Sequence, residues 1–147
     1  MTGSGDDAAA IRALTFRFIQ AFNAGDIEAI MSNYVRDESL VVFDVVPRKE
    51  YRGADAYREA WADMFARMEG SPKMEVAGQA ITVDGAVAFG HCFMYVTGTD
   101  TQGHLVNRWV RVTNGYRKIA GNWLIALEHI SVPVDLASGK LVPIQRP

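Results

Sequence analysis

The chain has 147 residues, of which 49% are apolar and 22% charged, and its formal net charge is −2. This length suits one domain with a single core, and a slightly acidic chain without basic clusters argues against a nucleic-acid-binding protein. No apolar stretch approaches the ~20 residues of a membrane-spanning helix, and one cysteine with three histidines gives too few soft ligands for a closed zinc site.

The N-terminal half is predicted to be helical. Residues 1–7 are polar and acidic, unlike a signal peptide, and this favours a cytoplasmic protein. Asp6 or Asp7 is predicted to cap a first helix. Gly25 is predicted to end that helix, and Asp26 to cap the second. The apolar residues that recur at helical spacing in the first helix are Ile11, Leu14, Phe18 and Phe22.

The second helix is followed by a short strand and a third helix. Ile27, Ile30, Met31 and Tyr34 form one stripe of the second helix. The strand covers residues 40–43 and is closed by Pro47. The third helix runs from Tyr57 to Met68 with a wide apolar face, and Gly70-Ser71-Pro72 is predicted to stop it.

From residue 73 onward the apolar period changes from about 3.6 to 2. The pattern predicts strands at 74–82, 86–97, 104–118 and 122–132, with a tight Asp84-Gly85 turn after the first. Helices and strands are segregated along the chain, so the sequence predicts an α+β fold with an antiparallel meander. We expect one domain over residues 1–147, with a core at about 8–134 and a C-terminal tail at 135–147.

The late strands are apolar on both faces. Phe89 and Phe93 alternate with Ala88 and Cys92, for example. An antiparallel sheet usually keeps one face polar, so the second face needs its own cover. A homodimer packed through its sheets is the simplest cover.

Several segments together resemble the nuclear transport factor 2-like superfamily. The Asn-Ala-Gly-Asp junction at 23–26, Asp-Glu-Ser-Leu at 37–40, Tyr-Arg-Gly at 51–53 and the ending at 121–131 occur in the expected order. The ending resembles SnoaL-like proteins and the calmodulin-dependent protein kinase II association domain. The resemblance implies a cone-shaped barrel of a curved antiparallel sheet wrapped around the N-terminal helices, with a pocket in the cone. This cystatin-like family contains enzymes and silent binding domains, so fold does not settle function.

Ketosteroid isomerase, an enzyme that uses carboxyl groups with raised pKa values, gives a more specific comparison. The resemblance places its oxyanion-binding tyrosine on Phe18, which has no hydroxyl, and its second aspartate near Asn114. Its base falls near Val42, while Asp44 lies two residues further on the same strand face. We therefore expect no steroid isomerase activity.

The resemblance also indicates which strand face lines the pocket. It points to even-numbered positions, although a β-bulge would invert this parity. These positions are Met94, Asn114, Ala126, Glu128 and Ile130. The pocket arginines of the kinase association domain match Met94, Asn114 and Ile130, so that anion site is not reproduced.

Two carboxylates are candidate catalytic residues. Glu128 lies in an otherwise apolar strand, where burial would raise its pKa and suit it to act as a general base. The structural alternative is an ion pair with Arg108 or Arg111 on the neighbouring strand. Asp44 is either a second base or a turn-forming residue before Pro47.

Further side chains are candidates for ligand contact. Tyr34 and Trp61 lie on helical faces that close over the sheet, where they either contact a ligand or belong to the core. Arg108 and Arg111 face opposite ways in one strand. We expect Arg108 to enter the pocket and bind a carboxylate, and Arg111 to serve the dimer interface.

The residues therefore predict a protein with a pocket for a small apolar or weakly acidic ligand. One interpretation is an acid–base enzyme of isomerase, cyclase, hydrolase or dehydratase type that needs no cofactor and no metal. The alternative is a non-catalytic ligand-binding or homo-oligomeric assembly domain. No phosphate loop or nucleotide fingerprint is present in the sequence.

Overall fold

The computed structural model describes residues 4–147, so residues 1–3 of the predicted domain and of its acidic N-terminal segment lie outside the described residues. The described helices are α1 (Ser4–Ala24), α2 (Ile27–Met31) and α3 (Ala54–Ala66). The described strands are β1 (Val41–Phe43), β2 (Tyr51–Arg52), β3 (Met68–Asp84), β4 (Val87–Asp100), β5 (Leu105–Ile119), β6 (Asn122–Ser131), β7 (Val134–Asp135) and β8 (Lys140–Leu141). No helix among these residues is long and apolar enough to cross a membrane.

The junction between α1 and α2 follows the predicted signals. Gly25 has a φ of 67°, the left-handed conformation that ends a helix. Asp26 caps α2 by accepting a hydrogen bond from the Ala29 backbone N–H at 3.0 Å. The predicted cap of α1 by Asp6 or Asp7 is wrong, because the helix already includes Ser4. Asp7 instead accepts a hydrogen bond from the Trp123 indole and ties α1 to β6.

The third helix begins earlier than predicted and the following strand is longer. α3 starts at Ala54 after Gly53, whose φ of 87° favours glycine. The Gly53 N–H donates to the carbonyl of Leu40, so the start of α3 is fixed beside β1. The predicted stop at 70–72 is wrong, because β3 already begins at Met68 and passes these residues in an irregularity of its pairing with β4.

Six of the strands form one open sheet in the order β2-β1-β6-β5-β4-β3. The predicted α+β fold with helices beside a sheet is confirmed, but the sheet is not closed into a barrel. It is also not wholly antiparallel. β1 pairs in parallel with β6, with Val42 opposite Glu128, and the remaining pairs in this sheet are antiparallel. This parallel pair places the end of β1, which Asp44 follows, beside His129 in β6.

A β-bulge in β6 changes which side chains face the helices. Leu127 pairs with Gly115, while Ile125 pairs with the residue after Gly115. Ala126 is therefore the extra residue of the bulge. Because the alternation resets there, Ile125 and Glu128 both point to the inner face and are 2% and 3% exposed.

The core lies between the helices and this inner face. Its helical side is an aromatic cluster in which neighbouring rings meet edge to face or tilted at centroid distances from 5.3 to 6.3 Å. The cluster consists of Phe18, Phe22, Tyr34, Tyr57, Trp61 and Phe65. These rings form a rigid apolar wall opposite β6.

The outer face of the sheet is covered unevenly. At one end, residues 141–146 lie over Tyr95 and Trp109, so part of the cover comes from the C-terminal segment of the same chain. Elsewhere the apolar side chains stay exposed, including Phe89 at 57% and Leu127 at 40%. The predicted apolar second face is therefore present, and its central part has no cover within the described residues.

Candidate functional site

Glu128 lies in the protein interior on the inner face of β6. It is 3% exposed, and its strand neighbours at the same level are Val42 on β1 and Asn114 on β5. Glu128 keeps its inward position despite the bulge at Ala126, because it lies after the bulge and pairs with Asn114, which is also buried on the inner face. A carboxyl group at such a position requires polar partners, since an isolated buried charge is very unfavourable.

Two tyrosine hydroxyls supply those partners. Tyr34 Oη lies 3.0 Å from both carboxylate oxygens of Glu128. Tyr57 Oη donates to Oε2 at 2.8 Å. Both phenols are fully buried, and burial followed by the nearby Glu128 charge raises their pKa values well above 10. They therefore remain protonated and act as hydrogen-bond donors at neutral pH.

The backbone explains why these tyrosines reach Glu128. After α2 the chain pairs with β6 at Ile125. The Val35 N–H donates to the Ile125 carbonyl, and the Ile125 N–H donates to the Asn33 carbonyl. This bridge places Tyr34 opposite Ile125, which lies three residues before Glu128 in β6. Tyr57 lies in the first turns of α3, whose start is fixed to β1 by Gly53.

Burial dominates the titration of Glu128. Its pKa is raised from the ordinary 4.5 to about 7. Desolvation is the largest cause; the hydrogen bonds from Tyr57 and Tyr34 lower the pKa, and the charge of Asp44 raises it. The Glu128 charge also acts on Cys92, whose thiol pKa is raised to about 12, first by burial and then by Glu128. Glu128 therefore changes protonation near neutral pH, where an acid–base catalyst is most effective.

Asp44 is a second carboxylate on the same side of the sheet. It follows the last residue of β1, is half-buried, and accepts a hydrogen bond from the Val45 backbone N–H at 2.7 Å. Burial raises its pKa, and the Val45 bond lowers it. Because its charge acts on both Glu128 and Tyr57, it lies within electrostatic reach of the buried cluster and closer to solvent.

The arginines do not pair with Glu128. Arg111 is exposed and donates to Ser131 Oγ at 3.0 Å. Arg108 is also exposed and lines a groove beneath the C-terminal segment. The structural alternative of an ion pair with Arg108 or Arg111 is therefore wrong, and so is the expectation that Arg108 enters the central site. Both arginines are exposed to solvent.

The other predicted pocket residues surround Glu128 to different degrees. Met94 and Asn114 are buried on the inner face, while Ala126 and Ile130 are half-buried and pack against the core. Trp61 is 8% exposed and lies against Tyr57 at a centroid distance of 5.4 Å. Two cavities formed by residues 4–147 lie elsewhere in the molecule.

Two buried polar atoms beside the cluster have no hydrogen-bond partner among the described residues. They are Trp61 Nε1, a donor, and Asn114 Oδ1, an acceptor. The Asn114 amide nitrogen donates to Tyr116 Oη at 3.3 Å, which fixes the orientation of the side chain. Buried polar atoms are nearly always paired, so these two mark positions that favour a polar partner.

Tyr57 was not among the residues selected from the sequence as site residues. Its position was assigned to the apolar face of the third helix, which is where it lies. The available signal was the predicted burial of Glu128, which requires nearby donors. Tyr34 and Tyr57 both carry a hydroxyl group on a helical stripe that faces the sheet.

The arrangement can hold one proton on a buried carboxyl group and stabilise the ionised form with two phenols. Its atoms can also donate to, and accept from, a small polar group near Trp61 and Asn114. Among residues 4–147, no group of three or more His, Cys, Asp and Glu side chains is placed to hold a metal ion.

Comparisons with known proteins cover most of the chain. A family model described as a SnoaL-like domain matches residues 11–135. The chain is similar to the structure of an NTF2-like protein of unknown function from Pseudomonas putida KT2440. The TM-score is 0.83 at 28% identity, and the match covers 96% of this chain and 98% of that one. No curated protein matches the chain in sequence.

Two further structures share the fold at lower identity. One is a Novosphingobium aromaticivorans protein provisionally named an aromatic ring hydroxylase, with TM-score 0.78, 20% identity and coverage of 88% and 91% of the two chains. The other is an NTF2-like family protein from Streptomyces avermitilis provisionally named a dehydratase, with TM-score 0.74, 21% identity and coverage of 88% and 97%. Proteins with different names thus share this architecture.

Proposed function

The chain belongs to the SnoaL-like domain family, and on this premise we propose that it is a small-molecule enzyme in which Glu128 acts as the general acid–base. The observation that carries the proposal is the fully buried Glu128, held by Tyr34 and Tyr57 with a pKa raised to about 7. A carboxyl group with this pKa is a base just above neutrality and an acid just below it.

The surroundings favour a small apolar substrate with one polar group. The walls are aromatic and aliphatic, and the unpaired donor of Trp61 and acceptor of Asn114 lie on the helix side and the sheet side of Glu128. A substrate carbonyl would accept from Trp61, and a hydroxyl or enol would donate to Asn114. This pairing fits isomerase or dehydratase chemistry on a C–H acid, with the proton moved by side chains of this chain.

Asp44 is proposed as the group that exchanges the proton with solvent. It is less buried than Glu128, has a raised pKa, and is electrostatically coupled to the cluster. The charge of Asp44 raises the pKa of Glu128, so an ionised Asp44 favours the protonated form of Glu128. Asp44 therefore accompanies Glu128 in the proposed mechanism as the outer carboxylate.

The proposal predicts base catalysis on a simple probe, 5-nitro-1,2-benzisoxazole. Glu128 removes the C3 proton, the C–H electrons complete a nitrile, and the N–O bond breaks to release 2-cyano-4-nitrophenolate. General-base catalysis contributes about 100-fold or more, so we expect Glu128→Gln to lose about that factor. In the wild type, the rate should rise through pH 7, near the pKa of Glu128. Product absorbance measures both quantities.

A matched control replaces an exposed carboxylate. Glu69 lies in solvent on β3, so Glu69→Gln should keep the wild-type rate and pH profile. Equal rates for the wild type and Glu128→Gln would contradict the proposal. They would favour a non-catalytic binding or assembly domain, an alternative that the burial of Glu128 supports.

A homodimer through the outer sheet face is the proposed assembly. Phe89, Gly115 and Leu127 lie side by side on three strands, and the Leu127 side chain lies against Gly115, where a Cβ would come within 3.3 Å of it. A two-fold axis over this row would let each copy cover the other's exposed residues. The proposed occupant of the face is therefore a second copy of this chain.

Light scattering is expected to give about 32 kDa for the wild type, twice the 16.2 kDa of the chain. Phe89→Glu should give the monomer mass, because it places a charge in the centre of the interface. The control is Phe16→Glu, which changes a residue of similar exposure on α1 (63% against 57%) and should stay dimeric. A wild-type monomer at micromolar concentration would contradict the proposed dimer.

A further inference from the structure

A chain of buried polar side chains leads from the level of Glu128 to α1. Asn114 lies opposite Glu128 in the β5–β6 pairing, and its amide nitrogen donates to Tyr116 Oη at 3.3 Å. Thr15 of α1 is a further hydrogen-bond neighbour of that hydroxyl. Thr15, Asn114 and Tyr116 are at most 7% exposed, so their polar atoms depend on one another for partners.

The direction of these hydrogen bonds is fixed at the α1 end of the chain. The Thr15 hydroxyl donates to the backbone carbonyl of Ile11 at 3.3 Å, and a carbonyl can only accept. Because its proton is used there, the Thr15 oxygen acts toward other groups as an acceptor. It accepts from Gln79 Nε2 at 2.7 Å. Toward Tyr116 it is an acceptor as well, so the Tyr116 hydroxyl donates to Thr15.

This direction decides how the Asn114 amide is turned. Burial is the main reason that the pKa of Tyr116 is raised to about 12, so its hydroxyl carries one proton at neutral pH. With that proton directed to Thr15, the Tyr116 oxygen can only accept from Asn114. The amide therefore turns its nitrogen to Tyr116 and leaves Oδ1 without a partner among residues 4–147. Side chains directly opposite in a sheet lie about 5 Å apart, so this free acceptor lies beside Glu128.

We infer that Tyr116 and Thr15 are positioning residues that keep the Asn114 oxygen free, so that the site at Glu128 selects ligands with a hydrogen-bond donor. A hydroxyl or enol group pairs with this oxygen, whereas a group that can only accept leaves it unpaired in the interior. The two orientations of an amide fill nearly the same space, so the hydrogen bonds, and not packing, select between them. This inference rests on the proposed ligand site at Glu128.

Binding of phenol and of its methyl ether, anisole, tests the inference, because only phenol has a donor. The measured quantity is the ratio of the anisole to the phenol dissociation constant, followed at the Trp61 indole N–H resonance in NMR titrations of the full chain. Leaving a buried acceptor unpaired weakens binding by about tenfold. The ratio should therefore fall by about tenfold in Tyr116→Phe and in Thr15→Val, because each change frees the Asn114 amide to turn its nitrogen toward the ligand. The extra methyl group of anisole is present in every measurement and cancels.

Two control variants separate the direction of the hydrogen bonds from packing. Thr15→Ser keeps the hydroxyl and should keep the wild-type ratio. Gln79→Leu removes a donor to Thr15 but leaves the bond from Thr15 to Ile11, so it should also keep the ratio. An unchanged ratio in Thr15→Val would overturn the inference, and so would the absence of phenol binding to the wild type at millimolar concentration.

The proposed function is tested separately by the rate of Glu128→Gln with 5-nitro-1,2-benzisoxazole. A lower binding ratio in Thr15→Val together with equal rates for the wild type and Glu128→Gln would contradict base catalysis and support the positioning role. An unchanged ratio together with a slow Glu128→Gln would overturn the positioning role and leave base catalysis supported.

Discussion

Replacing Glu128 with glutamine is expected to abolish most of the pH dependence of folding stability between pH 4.5 and about 7. Burial raises the Glu128 pKa in the folded state, so the folded protein binds a proton more tightly than the unfolded chain does. The free energy of unfolding therefore falls as pH rises through this window. A shift of this size corresponds to about 3 kcal/mol.

Urea unfolding at a series of pH values measures this effect. The wild type should lose stability from about pH 4.5 to pH 7 and then level off, whereas Glu128→Gln should stay nearly constant over this range. Glutamine keeps the shape and still accepts a hydrogen bond from a tyrosine. Glu69→Gln, on the exposed side of β3, should follow the wild-type curve. Parallel curves for the wild type and Glu128→Gln would contradict the raised pKa.

Removing both phenol hydroxyls is expected to destabilise the fold strongly, and more at high pH. Tyr34→Phe with Tyr57→Phe leaves Glu128 buried without its two donors. Hydrogen bonds to charged groups contribute about 1.5–3 kcal/mol each, so the loss at pH 8 should be about 3–6 kcal/mol. Since both bonds lower the Glu128 pKa, their removal also raises it further.

The pH dependence separates electrostatics from packing. At pH 5 Glu128 is protonated, so the double variant should lose much less stability than at pH 8. Tyr51→Phe is the matched control, because its ring lies 5.7 Å from that of Tyr57 and its hydroxyl makes no bond to Glu128. An equal loss at both pH values would mean that the tyrosines act only through packing.

Local sequence signals predicted the elements that frame the site. The Gly25-Asp26 junction set the end of α1 and the start of α2, because each residue acts on its own backbone. The inward position of Glu128 was also predicted, although the bulge at Ala126 is not visible in the alternation of apolar residues. Leu124 and Ala126 are apolar like Trp123 and Ile125, so the strand pattern reads the same in either register.

The partners of Glu128 could not be predicted from strand neighbours alone. Arg108 and Arg111 were expected on the strand beside it, which favoured an ion pair, but Arg111 lies opposite Ser131 and Arg108 lies outside the β5–β6 pairing. The structure supplies phenols from α3 and from the segment after α2 in their place. These contacts depend on how the helices lie across the sheet, and on the parallel pairing of β1 with β6, which local periodicity does not encode.

A direct titration of Glu128 tests the central claim that its carboxyl group changes protonation near neutral pH. The carboxyl carbon resonance of Glu128, assigned by comparison with Glu128→Gln, is followed by NMR as the pH is raised. The structure predicts a midpoint near pH 7. A midpoint at the ordinary value of 4.5 would contradict the proposed acid–base role.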